Sequence, residues 1–437
     1  MNRGRPIEHR PFSPARCPFF YGWFVLAAGT LGVIISAPGQ TIGVAAFIEP
    51  LIEELGISRS AISLAYGIGT LASAMMLTFA GRLYDRLGAR WSGALASLGM
   101  GLTLIGLGRM DWMAATLGRR APGLSPAGAA FIIAIPCFFL LRFLGQGMLT
   151  LISRNMVMKW FVHRRGLANG LMGVFIGLAF SASPPLFNSL IASLTWQGAW
   201  TTLGWIAAAG FTVFVLIFYR DNPEACGLLP EGGRPARSGD PPHEPRVDFT
   251  LKGAIRTRVF WIFSLALSMQ ALYGTAFAFH VESILGRAGF DSAAAYRVFL
   301  PAAAIAVTLG FAAGWASDHV PLNRLLAIHL IGLALSILGL LLSSGWTTFA
   351  MAVIGNGMAS AMFGVLLGVT WPRYFGRRHL GEISGFQLMF NVIFSAIGPA
   401  LFAFSLRFAG DYRPALGLCL AAVALLLTQT GKAVRPV

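Results

Sequence analysis

An all-α integral membrane protein, with twelve transmembrane helices in two pseudo-symmetric six-helix bundles, is the fold class that three features of the 437-residue sequence predict. Apolar runs long enough to cross a bilayer recur along the chain. They divide six and six around a polar stretch, and short charged motifs repeat between the two halves. A hydrocarbon core about 30 Å thick needs roughly 20 apolar residues per helix. Hydrophobic residues make up 56 % of the chain and charged residues only 11 %, whereas soluble domains are about one-quarter charged.

The first residues, 1–19, are basic, and their opening "MNRGRPIEHRPFSPAR" is too long and broken for the n-region of a secretory signal. They read as a cytoplasmic tail before a retained first helix. Spans are expected at 20–46, 61–81, 91–108, 131–153, 166–190, 200–219, 259–280, 297–315, 325–343, 348–370, 384–405 and 414–430. The bundles are therefore 20–219 and 258–437, and 220–257, rich in Pro, Gly and charge, reads as a solvated cytoplasmic linker. With both termini and the linker inside, 23 Lys and Arg lie on the cytoplasmic side and 8 outside, leaving Arg142 and Arg154 within spans. This is the positive-inside arrangement of a multi-pass protein of the cell inner membrane. The net charge of +16 is thus read as facing anionic headgroups, not nucleic acid.

Gly81-x-x-x-Asp85 closes span 2, and Gly314-x-x-x-Asp318 closes span 8 at an offset of 233. Arg164–Arg165 precede span 5 and Arg377–Arg378 precede span 11 at an offset of 213. An insertion at 109–128 between spans 3 and 4 accounts for the difference. Repeated six-helix halves are a mark of secondary transporters, which bind substrate near the bilayer midplane.

Other chemistries lack their motifs. No G-x-x-x-x-G-K-[ST] occurs, so ATP does not drive this chain. No H-E-x-x-H, clustered His/Cys or G-x-S-x-G is found, and Cys17, Cys137, Cys226 and Cys419 are scattered. Neither an enzyme nor a metal or cofactor site is expected.

"GRLYDRLGAR" (81–90) resembles the signature between helices 2 and 3 of the major facilitator superfamily, and "GWASDHVPLNR" resembles its weaker second copy. "RFLGQG" (142–147) resembles that family's Arg-containing motif on helix 4. Four stretches are similar to the monocarboxylate and oxalate/formate branch: "YGWFVLAAG", "IGVAAFIEPLIEELGISRSAISLAYG", "WFVHRRGLANGL" and "NPEACGLLPEGG". The resemblance implies the major facilitator fold and alternating access. It also implies a gate in which Asp85 faces the start of helix 11, near "HLGEISG", with Gly81 small for close approach. Arg86 or Arg90 would lie between Asp85 and Glu382. Members of that branch carry a basic residue in helix 8 or 11 that meets the substrate carboxylate. Here span 8 has none, Arg297 sits at its outer edge, and span 11 offers Asn391.

Arg142 is the sharpest single residue. Eleven residues from either end of its span, it lies roughly 16 Å from each interface, where a charge costs several kcal/mol. Gln146 is one turn away on the same face. All 17 acidic residues lie in loops or near span ends, which points to an anionic or polar substrate held by Arg142 and away from cation efflux. Gln40 and Thr41 interrupt span 1 beside Pro38–Gly39, where a broken helix would expose backbone groups. Gln270, Tyr273, Asn356 and Asn391 are further candidate substrate contacts. His280 and Glu282, at the outer end of span 7, are candidates for a proton relay, and Gly81, Asp85, Arg86, Arg90, Gly314 and Asp318 for gating. The expected function is transport of a small carboxylate-type anion by proton symport or by antiport, the protein acting as a monomer in the lipid bilayer. A facilitator or exporter of a neutral or amphiphilic compound, and a non-transporting sensor on the same fold, are the alternatives.

Overall fold

The computed structural model describes residues 10–121, 123–232, 248–287, 289–291, 295, 297–342 and 345–436. Among these residues every regular element is helical, and nine helices are long and apolar enough to cross a membrane. Two of the nine are double. Arg59–Leu107 breaks at Gly88 (φ 78°), and Arg165–Phe218 breaks at Thr195 (φ 62°). Gly88 takes the left-handed conformation without a Cβ penalty. Thr195 bears that penalty, and its Oγ1 accepts the Gly198 N–H at the start of the next helix.

Splitting these two and adding the shorter apolar helix Gly22–Ile35 yields twelve spans. They are α1 (Gly22–Ile35), α2 (59–87), α3 (89–107), α4 (Pro126–Trp160), α5 (165–194), α6 (196–218), α7 (Arg258–Arg287), α8 (Phe299–His319), α9 (Leu322–Leu342), α10 (Gly345–Phe375), α11 (Leu380–Ala409) and α12 (Arg413–Lys432). Where the sequence carries its insertion, a short helix Met110–Arg120 lies between α3 and α4.

The chain divides into two compact units: Met1–Trp160 with Phe175–Arg234 and Ser384–Phe386, and Phe161–Val174 with Pro235–Ile383 and Gln387–Val437. In the first, α1 ends at Ile35 and the chain passes through a tight turn, Ala37–Gly39, before short helices Thr41–Ala45 and Ile48–Leu55. Facing that turn, α4 widens into a π-helix over Arg142–Leu149, with the Thr150 N–H reaching back five residues to the Gly145 carbonyl. The backbones touch at this point. A Cβ on Gly39 would stand 3.0 Å from Gly145 Cα and 3.2 Å from Gln146 N, so only glycine fits.

The ends of three helices of this unit meet at Asp221, which follows α6. Its carboxylate takes the Lys159 ammonium at 3.1 Å and the Ala89 N–H at 3.2 Å, capping α3 just after the Gly88 break. Arg90 Nε donates to the Tyr219 carbonyl, and Arg220 is fully buried. The stretch 220–257 is therefore not solvated throughout: its first residues are packed, because they carry the partners of Lys159 and α3. At its other end Phe249 N–H bonds the Phe375 carbonyl, while 233–247 lie outside the described residues.

In the second unit Asp318, at the end of α8, caps the start of α5. Its two carboxylate oxygens accept the Gly166 and Leu167 N–H groups at 2.8 and 3.1 Å, where the helix dipole favours negative charge. Arg373 of α10 lies 3.5 Å from the same carboxylate, and both side chains are buried. Gly166 and Gly314 are in backbone contact, since a Cβ on Gly166 would sit 1.9 Å from the Gly314 carbonyl oxygen. Removing one member of a buried ion pair costs about 3–5 kcal/mol by stranding the other. Asp318→Ala is accordingly expected to lower the thermal unfolding midpoint of detergent-solubilised protein well below that of Asp318→Asn, which keeps one acceptor for α5. Equal midpoints for the two variants would show that the cap on α5 adds nothing, and midpoints equal to the native one would show that Asp318 is inert in both roles.

Candidate functional site

The first unit gathers Arg142, Gln40 and Thr41 around the break in α1. Gly39 loses its helical partner at that break, and its carbonyl accepts Arg142 Nη1 at 3.1 Å. The guanidinium carbon lies 5.3 Å from the Tyr66 ring centroid, within cation–π range. Tyr66 in turn donates its hydroxyl to Thr41 Oγ1 at 2.9 Å. Gln40 Nε2 donates to Ser36 Oγ at 3.0 Å and Thr150 Oγ1 at 3.2 Å. The Gly39 carbonyl and the Tyr66 ring thus meet a guanidinium that is only 3 % exposed, and a hydrogen-bonded set of polar side chains from the break after α1, from α2 and from α4 adjoins these two contacts.

Among the described residues the Arg142 charge meets no carboxylate. The sequence holds no Asp or Glu between Asp111 and Asp221, so α4, α5 and α6 are free of acids. Among the described residues Arg142 makes no ion pair, and its Nε is buried without an acceptor. Gln146, on the π-helix, is partly exposed and four residues further along. The surroundings of Arg142 combine a fixed positive charge, an N–H without an acceptor and nearby amide and hydroxyl groups, the chemistry that charge-assisted hydrogen bonding to an oxyanion uses.

The second unit holds the remaining sequence-predicted contacts in separate places. Asn391 Oδ1 accepts from Gln387 Nε2 at 2.8 Å and Ser268 Oγ at 3.1 Å, and Asn391 Nδ2 and Gln387 Oε1 are buried without partners. Gln270 Nε2 donates to Ser360 Oγ at 3.3 Å, and its Oε1 is likewise unmatched. Tyr273 is fully buried with its hydroxyl 2.6 Å from Ser336 Oγ, an interhelical contact between α7 and α9. Asn356 is partly exposed on α10.

His280 bonds the Pro399 carbonyl at 3.0 Å through one ring nitrogen and stands 3.3 Å from the Tyr412 hydroxyl through the other. Glu282 is exposed. Asp85 is half-buried, Arg86 exposed, and Gly81 and Gly314 buried. Arg90 is held by Tyr219. Sequence reasoning did not single out Tyr66, Ser36, Thr150 or Gln387. Only Thr150, four residues past Gln146, had a periodic signal.

The sequence profile described as Major Facilitator Superfamily matches residues 29–399. The chain belongs to the Major Facilitator Superfamily. Among curated proteins it is similar to monocarboxylate transporter 11 of mouse, at 27 % identity over 277 residues, covering 60 % of this chain and 58 % of that protein. The human protein of the same name is 27 % identical over 268 residues, covering 58 % and 53 %. The chain thus spans little more than half the length of these relatives. Among solved structures it resembles the proton:xylose symporter XylE bound to 6-bromo-6-deoxy-D-glucose, with TM-score 0.68 and 14 % identity over 94 % of this chain and 95 % of that one. The superfamily transporter FucP in its outward conformation gives TM-score 0.68 at 12 % identity, covering 95 % and 100 %. The structural likenesses show a shared twelve-helix fold, and membership of the superfamily rests on the profile match.

The Tyr66 contact separates hydroxyl from ring. Tyr66→Phe loses only the bond to Thr41 and should cost about 0.5–1.5 kcal/mol. Tyr66→Ala also removes the half-buried ring beneath the guanidinium and should cost about 0.5–2 kcal/mol more, the range of a cation–π contact. Thermal unfolding of the two variants in one detergent checks the order.

Proposed function

We propose that this superfamily transporter moves small organic anions of the carboxylate type across the cytoplasmic membrane by alternating access, coupled to protons or by exchange. The observation that carries the reading is Arg142: a buried guanidinium at mid-span, bonded to a carbonyl and a ring but to no acid, with one N–H unused. A carboxylate arriving there neutralises the charge and completes the hydrogen bonding, so it is favoured over a neutral solute of the same size. The similarity to monocarboxylate transporter 11 supports the same substrate class. In this reading Gln40, Thr41 and Gln146 orient the anion. Gln270, Asn356 and Asn391 are contacts offered by the second bundle, and Tyr273 supports α7. Protons accompany the weak acid itself or pass by His280 and Glu282. The protein works as a monomer with both termini in the cytoplasm.

A second reading, transport of a neutral or amphiphilic compound, is favoured by the same Gly39 and Tyr66 contacts, because they give Arg142 a structural task.

Purified protein in liposomes distinguishes the two. Arg142→Gln should abolish counterflow of a carboxylate that the native protein carries, while monodispersity and helical content are retained. Native rates in that variant would discard the anion role of Arg142. For the gate, Asp85→Asn should shift the population toward the inward-open state and raise labelling of cytoplasmic-side cysteine probes. Unchanged labelling would count against Asp85 as a latch.

A further inference from the structure

From Gly145 to Trp160 every residue of α4 is buried except three: Gln146, Thr150 and Arg154. All three are polar, and they recur at four-residue intervals. Four residues overshoot an α-turn of 3.6 but fall short of the wider turn of a π-helix. The π segment ends at Leu149, so the two drifts oppose each other and the three side chains stay on one line. A strip that is accessible and wholly polar cannot face hydrocarbon, where an arginine costs several kcal/mol. A partly exposed polar line of this kind suits a water-lined side of the helix.

The three cations of α4 differ in what already occupies them. Lys159 is paired with Asp221 at 3.1 Å, and Arg142 is tied to the Gly39 carbonyl and Tyr66. Among the described residues Arg154 has no hydrogen bond, no ion pair and no aromatic partner, although it lies within the span, six residues before Trp160. Its neighbours Ser153 and Asn155 are buried and engaged elsewhere, with the Tyr219 hydroxyl and with Ser384. No acid lies on α4, α5 or α6 to neutralise it. An unmatched guanidinium on the accessible polar line of a membrane helix is the arrangement expected of a ligand site.

We propose that Arg154 is a second anion-binding residue. It holds a carboxylate at the Trp160 end of the Gln146–Thr150–Arg154 strip, roughly 18 Å along α4 from Arg142 at 1.5 Å per residue. The proposal rests on the carboxylate reading above and extends it: the anion meets two arginines in succession, with Gln146 and Thr150 as hydrogen-bonding steps between them. Arg154 is then a release-side contact that sets the half-saturation concentration on one face of the membrane.

The test uses full-length protein with acetate, pyruvate and oxalate as probes and chloride as control. Thermal unfolding is measured in detergent with and without each probe, and liposome transport is measured from each face. Arg154→Gln should melt no lower than the native protein without carboxylate, because it removes an unpartnered charge. It should also lose most of the stabilisation that a carboxylate confers. The half-saturation concentration from one face should rise about tenfold or more, as expected for losing a charge-assisted contact. Arg154→Lys should recover part of both effects.

A lower melting point for Arg154→Gln without ligand, including failure to fold, would assign Arg154 to the scaffold and overturn the proposal. So would an unchanged half-saturation concentration from both faces. A native protein that is neither stabilised by nor transports any of the three acids would overturn the carboxylate reading itself. That outcome is visible before any Arg154 variant is made.

Discussion

Inside a bilayer a polar group has no water to fall back on, so each broken helix turn and each buried charge must find its partner within the protein. The contact between Arg142 and Gly39 satisfies two such demands at once. The turn after α1 frees a carbonyl that an intact helix would have bonded, and α4 carries a guanidinium that hydrocarbon would not accept. Either feature alone would be costly. Placed 3.1 Å apart they cancel, and the rest of the local architecture serves that distance: glycines at 39 and 145, the π-helical widening of α4 and the Tyr66 ring.

Asp318, from the second copy of the repeated Gly-x-x-x-Asp motif, solves a related difficulty at a helix end. The first amides of α5 point outward with no acceptor of their own, and Asp318 supplies both oxygens to them. The carboxylate does this while also sitting beside the buried guanidinium of Arg373. A charge used twice in this way makes the start of α5 sensitive to anything that moves α8 or α10. Glycine at 166 and 314 lets the helices come close enough for the bond to form.

Much of this fold was legible in the sequence, because membrane thickness writes itself into apolar run lengths and the halves share charged motifs. Pro38–Gly39 marked the break in α1, and Arg142 stood out by its depth. What stayed hidden were the partners. Tyr66 gives no sign that it lies under Arg142, and Ser36 and Thr150 meet across a sequence separation of 114. The π segment was also invisible, since "RFLGQGML" carries no periodic sign of a wider turn. Arg154 was noticed as a span residue, but its lack of a partner becomes evident only once its neighbours are placed. Tyr273, a candidate substrate contact in the sequence, is bonded to Ser336 deep between helices, a partner that periodicity cannot express.

Asp221 also has a consequence for biosynthesis. The carboxylate that caps α3 belongs to a residue 132 positions after the amide it caps, and the lysine it neutralises precedes it by 62. As the chain emerges, α3 enters the membrane without the carboxylate that caps it and α4 with a lysine that still lacks that same carboxylate. Both wait for α6 to be made and inserted. The first bundle is therefore fastened by its final helix, and a ribosome stalled before residue 221 would hold a set of helices that are inserted but not yet locked together.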